Sequence, residues 1–122
     1  MEIFRLVLKL GESMKLYHNP RCSKSRKTVE ITENQQPEIV LYLNQPPTKG
    51  DLTSLIERFD APVEELVRWN DNDAPAKPEV ITSEIILDIL LKYPKYMQRP
   101  ILDDGEIAII CRPPERAYEL IS

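Results

Sequence analysis

The spacing of apolar and polar positions changes along the chain, and each change marks an element. Lys15-Leu16-Tyr17-His18 is a short β-prone run closed by the turn pair Asn19-Pro20. Residues 22–34 contain neither glycine nor proline and run into polar Glu33-Asn34-Gln35-Gln36 and then Pro37, which predicts a helix. Glu38-Ile39-Val40-Leu41-Tyr42-Leu43 is nearly continuous in apolar, partly β-branched residues between Pro37 and Pro46-Pro47. That pattern predicts a strand buried on both faces. Strand, helix and strand within 30 residues make a βαβ unit, whose connection is expected to be right-handed.

The period then becomes helical. Thr48 and Asp51 stand at capping-box spacing, and Leu52, Leu55, Ile56 and Phe59 follow on one face. Asp60 is placed to cap a second short helix with Pro62 in its first turn, burying Val63, Leu66 and Val67. Residues 70–80, with Pro75, Pro78 and several Asp and Asn, predict a loop. Thr82 or Ser83 opens a third helix, Glu84 to Tyr93, stopped by Pro94. Ile101-Leu102, the turn residues Asp103-Asp104-Gly105, and Ile107 to Ile110 read as a hairpin, followed by a last helix from Pro113 or Pro114 to Leu120. The order βαβ, helical insert, ββα predicts a single α/β domain over 1–122. Its fold is expected to be thioredoxin-like, with one mixed sheet and a helical insertion at 48–95. Residues 1–13 are apolar but broken by Arg5 and Lys9, too short and charged for a membrane helix or signal segment. They are expected to be either an extension, with Met14 as the natural start of the domain, or an ordinary edge strand or turn of helix.

Composition narrows the chemistry. There are 11 prolines but 3 isolated glycines, so no glycine-rich phosphate cradle can be written. An anion would have to be held by helix ends and cationic side chains. Net charge is -4, which argues against nucleic-acid binding, and the few scattered aromatics do not form a stacking platform. One His and two Cys cannot make a four-ligand structural zinc site without a carboxylate, so no metal is expected. Two cysteines also make no disulfide framework, which points to a reducing, cytoplasmic setting.

One segment runs against the overall charge. Between Ser13 and Val29 there is no acid, while Lys15, Arg21, Lys24, Arg26 and Lys27 are basic. Cations at a helix N-terminus oppose the helix dipole, which implies that something negative belongs there. Cys22 fits, because a thiol at a helix N-terminus near cations is held as the nucleophilic thiolate. Ser25, one turn on, is placed to donate to the sulfur, and His18 to add charge or a hydrogen bond. Arg99 and Arg112 each precede a proline and so extend from loops or strand ends. Arginine forks suit oxyanions. Arg68 lies near the end of the second insert helix. Cys111 follows an apolar run and is expected to pack in the core.

These residues resemble a known family. Tyr17-His18-Asn19-Pro20-Arg21-Cys22-Ser23-Lys24-Ser25-Arg26-Lys27-Thr28 resembles the active-site segment of glutaredoxin-coupled arsenate reductases. The likeness continues at Leu41-Tyr42-Leu43 with Pro46-Pro47, Leu66-Val67-Arg68, Gln98-Arg99-Pro100-Ile101 and Cys111-Arg112-Pro113-Pro114-Glu115. It implies that Cys22 attacks arsenate, that His18 and Ser25 favour its thiolate, and that Arg68, Arg99 and Arg112 bind the oxyanion. It also implies that Pro100 is a cis-proline opposite the cysteine. Glutathione would be a co-substrate and glutaredoxin the partner, with no bound cofactor. Asp71-Asn72-Asp73-Ala74-Pro75 departs from the family's tyrosine-containing pattern there. Two other classes are consistent with the chain: an Spx-like redox regulator binding RNA polymerase, and a glutaredoxin-like monothiol protein. Ser25 in place of a second cysteine removes the CxxC switch typical of the regulators.

Overall fold

The computed structural model describes residues 14–121, so the expected extension over 1–13 lies outside the described residues. Four strands form one mixed sheet: β1 (Lys15–Tyr17), β2 (Glu38–Val40), β3 (Ile101–Asp103) and β4 (Ala108–Ile110), in the order β2-β1-β3-β4. β1 runs parallel to β2 and antiparallel to β3, and β3 pairs antiparallel with β4. Three α-helices surround it: α1 (Ser23–Ile31), α2 (Lys49–Arg58) and α3 (Ser83–Lys92). This is the thioredoxin-like α/β arrangement. No helix among the described residues is long and apolar enough to cross a membrane.

The strands alternate between two cores. Tyr17, Ile101, Ala108 and Ile110 face a layer containing Leu52, Leu55, Ile86 and Leu90 of α2 and α3. Leu16, Leu102, Ile109 and Cys111 face the other layer, with Ala117, Ile121 and partly buried Val29. The period of two along each strand is what permits both faces to be covered.

Several elements differ from the pattern reading. β2 spans three residues, with Glu38 and Ile39 exposed, where a doubly buried strand is predicted. It lies at the sheet edge, so only one side of its backbone is paired. Leu41 to Gln45 then form turns closed by bonds from the Asn44 and Gln45 amides to the Leu41 carbonyl. The apolar run continues because Tyr42 packs in the core from that turn, not from the ladder. The first helix ends at Ile31 and gives way to a 3-10 turn at Glu33–Gln35. The second insert helix and the last helix are 3-10 segments, Val63–Leu66 and Pro114–Glu119. Asp60 caps nothing, and its amide donates to the Ala108 carbonyl. The Thr48–Asp51 capping box is present in both directions.

One ion pair ties the insert to the sheet. Arg58, at the end of α2, grips Asp103, at the end of β3, with Nη2–Oδ2 at 2.7 Å and Nε–Oδ1 at 3.0 Å. Asp103 is buried, and its Oδ1 also accepts from the Gly105 amide in the turn, where Gly105 takes a left-handed φ of 94°. Arg58→Leu would strand a buried carboxylate. Because the guanidinium is 30% exposed, the loss is expected to fall below the full buried-pair cost, at about 2–3 kcal/mol. Thermal denaturation should show the midpoint lowered by roughly 10 °C. An unchanged midpoint would mean that water already shields the pair.

Candidate active site

The site grows from the exit of β1. The His18 amide donates to the Val40 carbonyl, which continues the parallel ladder, and Asn19-Pro20 then turns the chain. The Cys22 amide donates to the Asn19 carbonyl at 3.0 Å, closing the turn that places Cys22 at the N-cap of α1. Cys22 has extended backbone geometry and no side-chain capping bond, so the first-turn amides are open to its sulfur.

Ser25 and His18 take different parts from those expected. The Ser25 side chain is fully buried and turned away from the sulfur. Its Oγ lies 2.6 Å from His18 Nδ1 and accepts from the Asn19 amide at 3.0 Å. The hydroxyl therefore stitches the loop to the helix, while it is the Ser25 backbone amide that addresses Cys22. His18 does not supply charge: burial, then the neighbouring Arg26, hold its pKa below the ordinary imidazole value. Two of the local bases are engaged elsewhere. Arg26 donates to the Pro20 carbonyl and Lys27 pairs with Glu30.

The cation that reaches the sulfur comes from the far half of the chain. Antiparallel pairing of Ile101 with Ile110 is extended by a bond from the Cys111 amide to the Pro100 carbonyl. Arg99 and Arg112 therefore emerge beside each other at the end of the sheet where β1 delivers the cysteine loop. Arg112 Nη1 donates to the Arg99 carbonyl at 3.0 Å. The Arg99–Pro100 and Arg112–Pro113 peptides are both cis. Arg68 arrives by a third route. Val67 bridges Met97, the Arg68 amide donates to the Tyr96 carbonyl, and the Gln98 amide donates to the Leu66 carbonyl. These bonds set Arg68 alongside residues 96–98 and next to the other two arginines.

The electrostatics follow. Burial alone would raise the Cys22 pKa. The Ser25 amide, the Arg99 guanidinium and the Lys24 amide outweigh it, and the net shift is downward. Arg68 is lowered by burial and by Arg99, with Asp71 opposing at 2.8 Å. Cys111 is fully buried in the second core, and burial pushes it up to about 12. Because the fold shifts the Cys22 pKa downward, alkylation should stay at its plateau above the folded pKa and fall as pH drops through it. A midpoint below the free-thiol value of about 8.5 is expected by iodoacetamide titration followed by mass spectrometry, with Cys111 unmodified until unfolding. A midpoint at or above that value would remove the thiolate reading.

Three further residues face the site without having been singled out from sequence. Asn19 organises the loop by accepting from the Arg21 amide. Asp71 is the ion-pair partner of Arg68. Tyr42 ends near Arg99 and Arg68, and its place in the Leu41-Tyr42-Leu43 stretch was the available signal. Next to Arg68 and Arg112 opens a cavity of about 400 Å3, also lined by Asp71, Lys77 and Gln98. Among the described residues no three His, Cys, Asp or Glu side chains are grouped to hold a metal.

The arrangement matches known proteins. Residues 17–120 match the ArsC family. The chain is 33% identical over 118 residues to the uncharacterized protein YfgD of Escherichia coli, covering 92% of this chain and 99% of that one. It is 32% identical over 111 residues to an arsenate reductase of the same organism, covering 87% and 79%. Its structure superposes on the arsenate reductase from Vibrio cholerae with a TM-score of 0.80 at 29% identity, covering 89% and 98%.

Proposed function

This chain belongs to the ArsC family, and from that premise we propose that it reduces arsenate through Cys22, with glutathione and glutaredoxin completing the cycle in the cytoplasm. The observation that carries the reading is the place of Cys22 at the N-cap of α1, its pKa lowered by two first-turn amides and by Arg99, with Arg68 and Arg112 beside Arg99. A tetrahedral oxyanion needs several donors aimed at its oxygens, and a nucleophile within reach of its centre.

In this reading the arginines draw arsenate to the end of the sheet. The Cys22 thiolate attacks arsenic, a sulfur–arsenic bond forms, and one oxygen leaves as water after protonation. The first-turn amides of α1 and the Arg99 fork hold the charge that builds on the remaining oxygens. A glutathione thiol then binds arsenic, its proton leaving with a second oxygen as water. Glutaredoxin takes the glutathionyl group as a mixed disulfide, so two thiols are oxidised and arsenic gains their two electrons. Hydrolysis of the remaining sulfur–arsenic bond releases arsenite and returns Cys22. The chain needs no bound cofactor for these steps. The cavity beside Arg68 and Arg112 supplies room and positive charge for the incoming thiol.

The test is arsenate-dependent NADPH oxidation by the purified chain with glutathione, glutaredoxin and glutathione reductase. Turnover that needs both arsenate and glutaredoxin supports the reading. Absence of turnover under those conditions rejects arsenate as substrate, and turnover without glutaredoxin rejects that partner.

A further inference from the structure

Tyr42 has no role in the fold that explains its hydroxyl. Its ring belongs to the core layer shared with α2 and α3, and the side chain is fully buried. It is held there by the turn after β2, where its own amide donates to the Val40 carbonyl at 3.0 Å. The same carbonyl accepts from His18, so the turn that carries Tyr42 and the loop that carries Cys22 share one anchor.

The hydroxyl itself is buried and has no hydrogen-bond partner, and Arg99 Nε is in the same condition. The Asn19 side chain acts on the hydroxyl as a donor does, lowering its pKa, so the phenol's own proton is left without an acceptor. The charged groups acting on the hydroxyl are Arg99, Arg68 and Cys22. A buried phenol left unpaired is costly, and most such groups are satisfied in folded proteins. Here the surrounding guanidinium groups are donors only, so they cannot accept its proton. An acceptor between Arg99 and Tyr42 would satisfy both orphaned groups at once.

We propose that Tyr42 is an oxyanion-binding residue, its hydroxyl donating to one oxygen of the tetrahedral anion held by Arg99 beside Cys22. This rests on the arsenate reading of the site and adds a neutral donor to the charged ones. The ring's packing fixes the direction of that donor, so it selects for an anion with an oxygen pointing away from the sulfur into the core. A flat or smaller anion gripped by the arginines alone would not reach it.

The test compares the intact chain with Tyr42→Phe, which keeps the ring and removes one atom. Arsenate binding is measured by calorimetry without glutathione, together with the Cys22 thiol pKa and the thermal midpoint. We expect arsenate affinity to fall about ten- to hundredfold, as for loss of a hydrogen bond to a charged group. The thiol pKa should not move, and the midpoint should hold or rise because an unpaired hydroxyl is gone. Equal affinity in both chains overturns the proposal. So does a raised thiol pKa with unchanged affinity, which would assign the hydroxyl to the thiolate. A midpoint several degrees lower would show a structural partner and also overturn it. If the intact chain binds no arsenate, the arsenate reading fails and the proposal fails with it.

Discussion

Replacing Cys22 by serine is expected to lower arsenate turnover at least about 10³-fold while leaving the fold intact or slightly firmer. The loss follows from ionisation. The Ser25 amide, Arg99 and the Lys24 amide shift the thiol toward its thiolate. A serine hydroxyl in the same place stays protonated at neutral pH and is a poor nucleophile. The gain in stability follows from position. Cys22 is the N-cap of α1, where the first-turn amides act on its sulfur but no full capping hydrogen bond closes. Serine is among the preferred N-cap residues, so its Oγ can accept from the first-turn amides for up to about 1 kcal/mol. The coupled NADPH assay and a thermal melt therefore move in opposite directions for one substitution. Turnover within tenfold of the native chain would show that Cys22 is not the nucleophile.

The second large effect is expected at Arg99. Arg99→Ala removes the cation that lowers the Cys22 pKa and whose buried, unpaired Nε stands next to the proposed anion position. A drop in kcat/KM of about 10²–10³ is expected, the usual size for losing a donor to a developing oxyanion. The two roles separate with pH. Losing the cation raises the Cys22 pKa, so the thiolate fraction at neutral pH falls. Raising the pH restores the thiolate and with it the alkylation rate. The anion-binding defect persists at every pH, so turnover recovers only in part. Arg99→Lys returns a charge without the planar fork and should repair alkylation more than turnover. Full recovery of turnover at high pH would mean that Arg99 serves the sulfur and not the substrate. The alanine variant should melt close to the native chain, because it also removes a buried, unpaired Nε.

The Ser25 and Arg26 cases show why part of the site was hard to read. Both lie within one turn of Cys22, and proximity in sequence suggests that their side chains act on it. In the folded chain the Ser25 hydroxyl faces His18 and Asn19, and Arg26 reaches back to Pro20. The side chain that lowers the pKa of the sulfur is Arg99, carried there by the register of β3 against β1 and β4. Likewise, Asp103 reads as a turn residue, whereas it is a buried carboxylate whose counterion lies 45 residues earlier.

The chain's own order of residues determined what depends on short-range sterics and hydrogen bonding. The Thr48–Asp51 box, the start of α1 at Cys22, the Thr82 cap and the β3–β4 pairing each involve groups a few residues apart. The thioredoxin-like order of elements follows from them. Tertiary structure alone decided which groups meet across the sheet. It made β2 an edge strand and shortened two expected helices to 3-10 turns. It also joined Arg58 to Asp103, brought Arg68, Arg99 and Arg112 to one end, and left the Tyr42 hydroxyl unpaired beside them. The physical reason is that local backbone preferences are set within a helical turn. A contact between distant residues exists only once strand register and layer packing have fixed the distance between them.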